Sequence, residues 1–146
     1  MPKSSNLCHS VTVAVAVSQR SAFAYLSDPL KLGNWTLGSA DIKAAGTEGM
    51  VEGRSLFDNG RSLIRIDSDP QRGIIDYYIG SRPKHLAMRI SARVLDGESF
   101  GMGNDCCLVT LTAWRPVGMD KTRWHRLCAS HEVEILLAKA QLEETG

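Results

Sequence analysis

DKTRWHRLCASHEVEILLAKAQLEE, residues 120–144, is the longest helical stretch of the chain and the one that decides its fold. Trp124, Cys128, His131, Ile135, Ala138 and Leu142 recur at steps of three and four, which lines them along one face of an α-helix. Asp120 stands where a carboxylate can cap the first turn, accepting an amide proton that has no partner inside the helix. Leu127, Leu136 and Leu137 widen the apolar sector, while Glu132, Glu134, Lys139, Glu143 and Glu144 are expected on the wet side. About 24 residues at 1.5 Å each make a rod roughly 36 Å long. Such a rod needs a surface on which to lay its stripe.

That surface is written upstream. His9 to Val17 reads HSVTVAVAV, with valines at 11, 13, 15 and 17, a strict period of two that describes a strand with one packed face. Ser18 then offers a helix cap for Gln19 to Leu26, and Ser27-Asp28-Pro29 ends that helix because proline cannot continue its hydrogen-bond ladder. A second short helix is expected over Leu30 to Trp35. From Ser39 to Arg115 the text is strand-like. Ala40 to Ala44 precedes a turn at Gly46-Thr47-Glu48-Gly49, and Met50 to Phe57 leads to a hairpin at Asp58-Asn59-Gly60. Arg61 to Asp67 and Ile74 to Gly80 follow, separated by the turn Asp69 to Gly73. In Leu86 to Val94, the apolar Leu86, Met88, Ile90, Ala92 and Val94 alternate with Ala87, Arg89, Ser91 and Arg93. After the glycine-rich loop Asp96 to Asp105, a last strand runs from Cys106 to about Trp114.

The predicted class is α+β. About seven antiparallel strands in a curved sheet (β-α-α-β6-α) wrap the long C-terminal helix, each strand hiding one apolar face. A rod touches only part of a strongly curved sheet, so an apolar hollow is expected between them, and such hollows are the usual ligand sites. The 146 residues fit one domain, 1–146, with 1–8 expected to be flexible. Seventeen basic and sixteen acidic residues are spread along the chain for a net charge of +1, without the clustered Lys and Arg that track phosphates, so nucleic acid is a poor partner. No apolar run reaches the ~20 residues of a membrane span. Residues 1–8 lack the apolar segment of a signal peptide. Stable membrane insertion is not expected, and the reading is cytoplasmic, with Cys8, Cys106, Cys107 and Cys128 reduced.

The string VSQRSAFAYLSDPLKLGNW, Val17 to Trp35, resembles the opening of the polyketide cyclase/dehydrase-like branch of the START and birch-pollen-allergen (SRPBCC) superfamily. Phe23-Ala24-Tyr25-Leu26-Ser27-Asp28-Pro29 and Trp35 occupy the positions of that opening, and the later strands and long helix follow the family's order over nearly the whole chain. The resemblance implies a helix-grip fold with a hydrophobic cavity. Relatives bind lipids, sterols, polyketides, plant hormones or quinones, and a minority are enzymes. It implies no shared catalytic set. Trp35 matches a family position and reads as a structural plug.

The expected cavity lining is Ile64, Ile66, Ile75, Tyr77, Met88 and Ile90 from the middle strands, and Val109 and Leu111 from the last. Trp124, Cys128, His131 and Ile135 complete it from the helix. His131 is the most suggestive of these, a titratable ring on an apolar stripe, suited to donating or accepting a proton at a ligand carbonyl; a histidine satisfied by its surroundings is the plainer reading. Only one of Tyr77 and Tyr78 can face inward. Arg65, Arg89 and Arg93 are assigned to the solvent face, and Glu52 and Arg54 form a weaker acid–base candidate. Cys106 and Cys107 lack CxxC spacing, the four histidines lack metal spacing, and Gly101-Met102-Gly103 is no nucleotide loop. No metal or cofactor is expected.

The sequence thus favours a binder or carrier of a small hydrophobic molecule, a lipid, polyketide or similar. The alternative is a cyclase- or dehydratase-type enzyme in which His131 and Tyr77 move protons. A protein acting only through a partner surface is the third reading. A homodimer is compatible with each.

Overall fold

The valine alternation folds as β1, Cys8–Val15, with Val11 and Val13 half-buried, Val15 buried, and Thr12 and Ala14 exposed. Seven strands form one sheet in the order β1-β7-β6-β5-β4-β3-β2, every adjacent pair antiparallel. The others are β2 (Ala40–Ala44), β3 (Met50–Arg54), β4 (Arg61–Asp69), β5 (Ile74–Gly80), β6 (Ala87–Asp96) and β7 (Cys107–Trp114). The computed structural model describes residues 6–46 and 49–145. Of the segment expected to be flexible, residues 1–5 lie outside that description, as do Thr47 and Glu48 of the expected turn. Cys8 already belongs to β1, and the Leu7 carbonyl accepts a hydrogen bond from the Arg115 amide at 2.8 Å.

Between β1 and β2 the chain makes helix α1, Gln19–Leu26, and a 3-10 turn, Pro29–Asn34. The Ser18 hydroxyl accepts from the Ser21 amide at 3.2 Å, and the Asp28 carboxylate accepts from the Leu30 amide at 3.0 Å. Each satisfies an orphan donor of a first turn. Ser18→Ala is expected to lower stability by about 1 kcal/mol, read as a lower urea midpoint with an unchanged slope.

Helix α2, Lys121–Thr145, begins after Asp120, whose carboxylate accepts from the Arg123 amide at 2.7 Å. It packs mainly on β1 and β7, at one edge of the sheet. Trp124, His131, Ile135, Ala138 and Leu142 are buried, as the three-and-four spacing requires. The apolar sector is narrower than the leucine count suggested: Leu136 is 59% exposed and Leu137 38%, with Val133 beside them at 48%. Glu134, assigned to the wet side, is buried at 5%.

Two further departures shape the site. The β3–β4 connection is a six-residue loop, Ser55–Gly60, because β3 ends at Arg54 and pairs Arg54 with Arg61. Asn59 takes its positive φ there, and the Ser55 amide donates to the Gly60 carbonyl. In β6, Tyr77 pairs with Ile90 but Tyr78 pairs with Met88, so Arg89 is the extra residue of a bulge. A bulge shifts the pleat by one residue. Beyond it Ile90, Ala92 and Val94 face inward as expected; before it the faces exchange, so Met88 is 38% exposed while Ala87 and Arg89 line the interior.

Candidate functional site: an interior cavity

Because α2 sits on the β1–β7 edge, the concave surface of β4 to β6 is left uncovered by the rod. A hollow of about 640 Å³ fills that space. Leu32 of the 3-10 turn and Trp35 just after it, Ile64 of β4, Tyr77 and Ile79 of β5, Ile90 of β6 and Leu111 of β7 give it an apolar lining. From α2 it receives Arg123, Leu127 and Glu134; from the Ser55–Gly60 loop it receives Phe57 and Asp58.

Four of the twelve residues expected to line the cavity do so: Ile64, Tyr77, Ile90 and Leu111. Ile75, Val109 and Ile135 belong instead to the packed core, with Ile66 half-buried against it. Met88 is turned outward by the bulge. Trp124 is buried and Cys128 half-buried, both away from the cavity. His131 is fully buried but lies on the β1 side of α2, its ring centroid 6.0 Å from that of His9. Neither of its ring nitrogens has a hydrogen-bond partner among the described residues. Burial, then the neighbouring His9, pushes its pKa down to about 4. His131 and Tyr77 are therefore not brought together around the hollow.

Tyr77 is committed to structure. Its hydroxyl donates to the Leu26 carbonyl at 2.6 Å, tying β5 to the end of α1, and burial pushes its ionisation far above the usual phenol range. Trp35 stacks edge-on against it with centroids 6.1 Å apart. More than a plug, Trp35 forms part of the cavity wall, and its buried indole N–H has no hydrogen-bond partner among the described residues. Glu52 and Arg54, the weaker acid–base candidate, are engaged on the sheet near β2: Glu52 with Arg61 and Lys43, and Arg54 with Asp41 at 3.0 Å.

The polar groups of the hollow are ones the sequence reading had placed in solvent or passed over. Glu134 is the sharpest. Burial pushes its carboxyl up to about 7, against the stabilising Leu37 amide and Ser130 hydroxyl. The Ser130 hydroxyl also donates to the Leu127 carbonyl at 2.8 Å, so its help to Glu134 is shared. Arg89 stands half-buried on the wall, its charged form disfavoured first by burial and then by Arg123. The Arg123 guanidinium lies 4.6 Å over the Phe57 ring, a cation–π contact that holds it against the wall. The one signal that would have found Glu134 is its helical offset: it lies seven residues after Leu127 and three after His131, on the inward side of the rod. No signal in the sequence marks the bulge that redirects Arg89.

Solved structures of other proteins share this geometry. A START superfamily protein from Mycobacterium smegmatis superposes with a TM-score of 0.69 at 11% identity, over 96% of this chain and 99% of that one. The Zhui aromatase/cyclase from Streptomyces sp. R1128 gives 0.63 at 15% identity, over 94% and 92%. Aha1 from Colwellia psychrerythraea, solved as a dimer, gives 0.65 at 17% identity, over 94% and 96%. No family model and no curated protein sequence matches the chain. The architecture is thus the helix-grip fold of START-like and polyketide-cyclase-like proteins, a likeness of shape at low identity. Among the described residues no helix is long and apolar enough to cross a membrane, and no group of three or more His, Cys, Asp or Glu is placed to hold a metal ion.

Proposed function

We propose that this protein binds or carries a small hydrophobic molecule, a lipid, polyketide or similar, inside the hollow between α2 and the sheet. The observation that carries this reading is the hollow itself, about 640 Å³ with a mainly apolar wall and a few polar groups set into it. Small-molecule sites commonly measure about 300–1,000 Å³ and share that make-up. Apolar burial, worth roughly 25 cal/mol per Å², supplies the affinity, less the cost of immobilising the guest. The four free cysteines suit the reducing conditions of a cytoplasmic protein.

Nile red, neutral and fluorescent in apolar surroundings, provides the test. Wild-type protein is expected to bind it with a saturable rise in emission. Ala87→Trp places an indole at an exposed position of the cavity wall and is expected to weaken binding about tenfold or more, equivalent to about 1.4 kcal/mol, with the melting temperature unchanged. Equal binding by both forms would move the dye, and the reading with it, out of the hollow.

A second reading, cyclase- or dehydratase-type catalysis, is favoured by Glu134 in place of His131. A carboxyl whose pKa is held near 7 by burial within a cavity can give and take a proton at neutral pH. Incubation with a linear poly-β-carbonyl thioester tests it; equal cyclisation by wild type and Glu134→Gln would remove Glu134 from the chemistry.

A further inference from the structure

Two of the three arginines of the cavity wall, Arg89 and Arg123, have no ion pair among the described residues. Arg89 is directed inward by the β6 bulge, and Arg123 enters from the first turns of α2. Among the described residues neither guanidinium makes an ion pair or a side-chain hydrogen bond within the protein. Arg123 has only the Phe57 ring beneath it at 4.6 Å. The nearby Arg61, by contrast, is paired with Glu52. Asp58, which also lines the hollow, accepts from the Gly60 amide at 2.9 Å and lies within the field of Arg123, so one carboxylate stands against the two charges of Arg89 and Arg123 and leaves that end net positive. Both arginines line the same hollow, and the charge of Arg123 disfavours that of Arg89 in a half-buried wall where repulsion is weakly screened.

From this geometry we infer that the molecule held in the hollow carries an anionic head, a carboxylate or a group of similar charge and size, which bridges Arg89 and Arg123. The inference rests on the cavity being a ligand site. Its apolar body then runs over Ile90, Ile64 and Trp35, away from the arginines. Glu134 sets the direction. It stands eleven residues along α2 from Arg123, roughly 16 Å at 1.5 Å per residue, so an ionised carboxyl there repels the head from the far end. Guanidinium groups suit this task because their fork of donors matches two carboxylate oxygens and they remain charged throughout the physiological range. The site is a polarised slot: net cationic at the end where Arg89 and Arg123 outnumber Asp58, apolar along its length, acidic at the other.

Displacement of Nile red by dodecanoate and by dodecanol, chains of equal length that differ in charge, tests the inference at about pH 8, where a carboxylic acid is ionised. Wild-type protein is expected to prefer dodecanoate by about tenfold, the size of one charge-assisted contact. Arg89→Gln and Arg123→Gln should each abolish the preference while leaving dodecanol displacement intact. Arg89→Lys should retain part of it. Because Arg89 has no partner to lose, Arg89→Gln is also expected to melt no lower than wild type without ligand, so a loss of preference cannot be put down to misfolding. Equal displacement by both compounds, or a preference that survives Arg89→Gln, overturns the anionic head and leaves the cavity as a site for neutral molecules. Failure of both compounds to displace the dye, or of the dye to bind, overturns the anionic head and the ligand-site reading together.

Discussion

Glu134→Gln is expected to raise the stability of the protein by about 3 kcal/mol at pH 8 and by almost nothing at pH 4.5. The sign follows from the pKa. In the unfolded chain Glu134 titrates near 4.5; in the fold, burial holds the carboxyl up to about 7. A proton is bound more tightly by the folded state, so ionisation opposes folding. The cost is absent below about 4.5, grows as pH rises, and is complete above 7, where 1.36 kcal/mol per pKa unit gives about 3 kcal/mol. Glutamine keeps an acceptor for the Leu37 amide and the Ser130 hydroxyl, the polar groups that face the carboxyl, and has no charge to bury. The arginines of the cavity wall do not figure among the causes of its shift, which agrees with their place at the other end of the slot. For a chain of this size the change corresponds to a melting temperature higher by on the order of 10 °C at pH 8. Thermal melts of both proteins from pH 4.5 to pH 8 provide the measurement. A gap that stays constant across that range would mean the carboxyl does not titrate there.

A wild-type protein that keeps such a destabilising group has placed an acid where a packed core would hold a leucine. That is the usual signature of a site, in which stability is given up to hold chemistry in a fixed position. The group was not legible as such. A glutamate between Val133 and Ile135 reads as the wet side of a helix; its offset from Leu127 and His131 points inward, and the way α2 leans on β1 and β7 buries it there. Arg89 hides for a different reason. The alternation of Leu86, Met88, Ile90, Ala92 and Val94 is unbroken in sequence, yet one extra residue in the pairing of β6 with β5 exchanges the two faces before Ile90. Period-two patterns carry no mark of a bulge, because the slip belongs to the pair of strands and not to either one.

What could be read was what depends on local chemistry. The valines of β1, the Ser18 and Asp120 caps, and the three-and-four stripe of α2 are each dictated by neighbours within a few residues. They led to the helix-grip architecture. The division of inward-facing residues into core and cavity depends on where the rod rests across the sheet. Ile75 and Val109 point the same way as Ile64 and Tyr77, yet the first two are packed in the core while the others also border the hollow.

His131→Leu carries the second large expectation, and it runs opposite in pH. The imidazole titrates near 6.5 in the unfolded chain and is pushed down to about 4 in the fold, by burial first and by His9 second. Here the unfolded state binds the proton more tightly. Stability from the neutral ring is therefore fully present above about 6.5 and is lost as pH falls toward 4, by about 3 kcal/mol in all and about 2 kcal/mol by pH 5. The groups around the ring give it no anion to change this sign: His9 shares the contact, and Glu132, on the same helix, is directed to His9 at 3.6 Å. Leucine removes the titration, so the variant should gain about 2 kcal/mol over wild type at pH 5 beyond whatever constant difference it shows at pH 8. The two groups together make a sharper claim. Between pH 5 and 6.5 Glu134 weakens the fold as pH rises while His131 strengthens it, with shifts of nearly equal size. Wild-type stability should be almost flat over that interval. Each substitution alone should expose the other slope: rising with pH in Glu134→Gln, falling with pH in His131→Leu, and level again when both are combined, since they occupy separate surroundings and their effects add. A wild-type profile that slopes steeply there, or a double variant that does, would show that other groups govern the acid response of the fold.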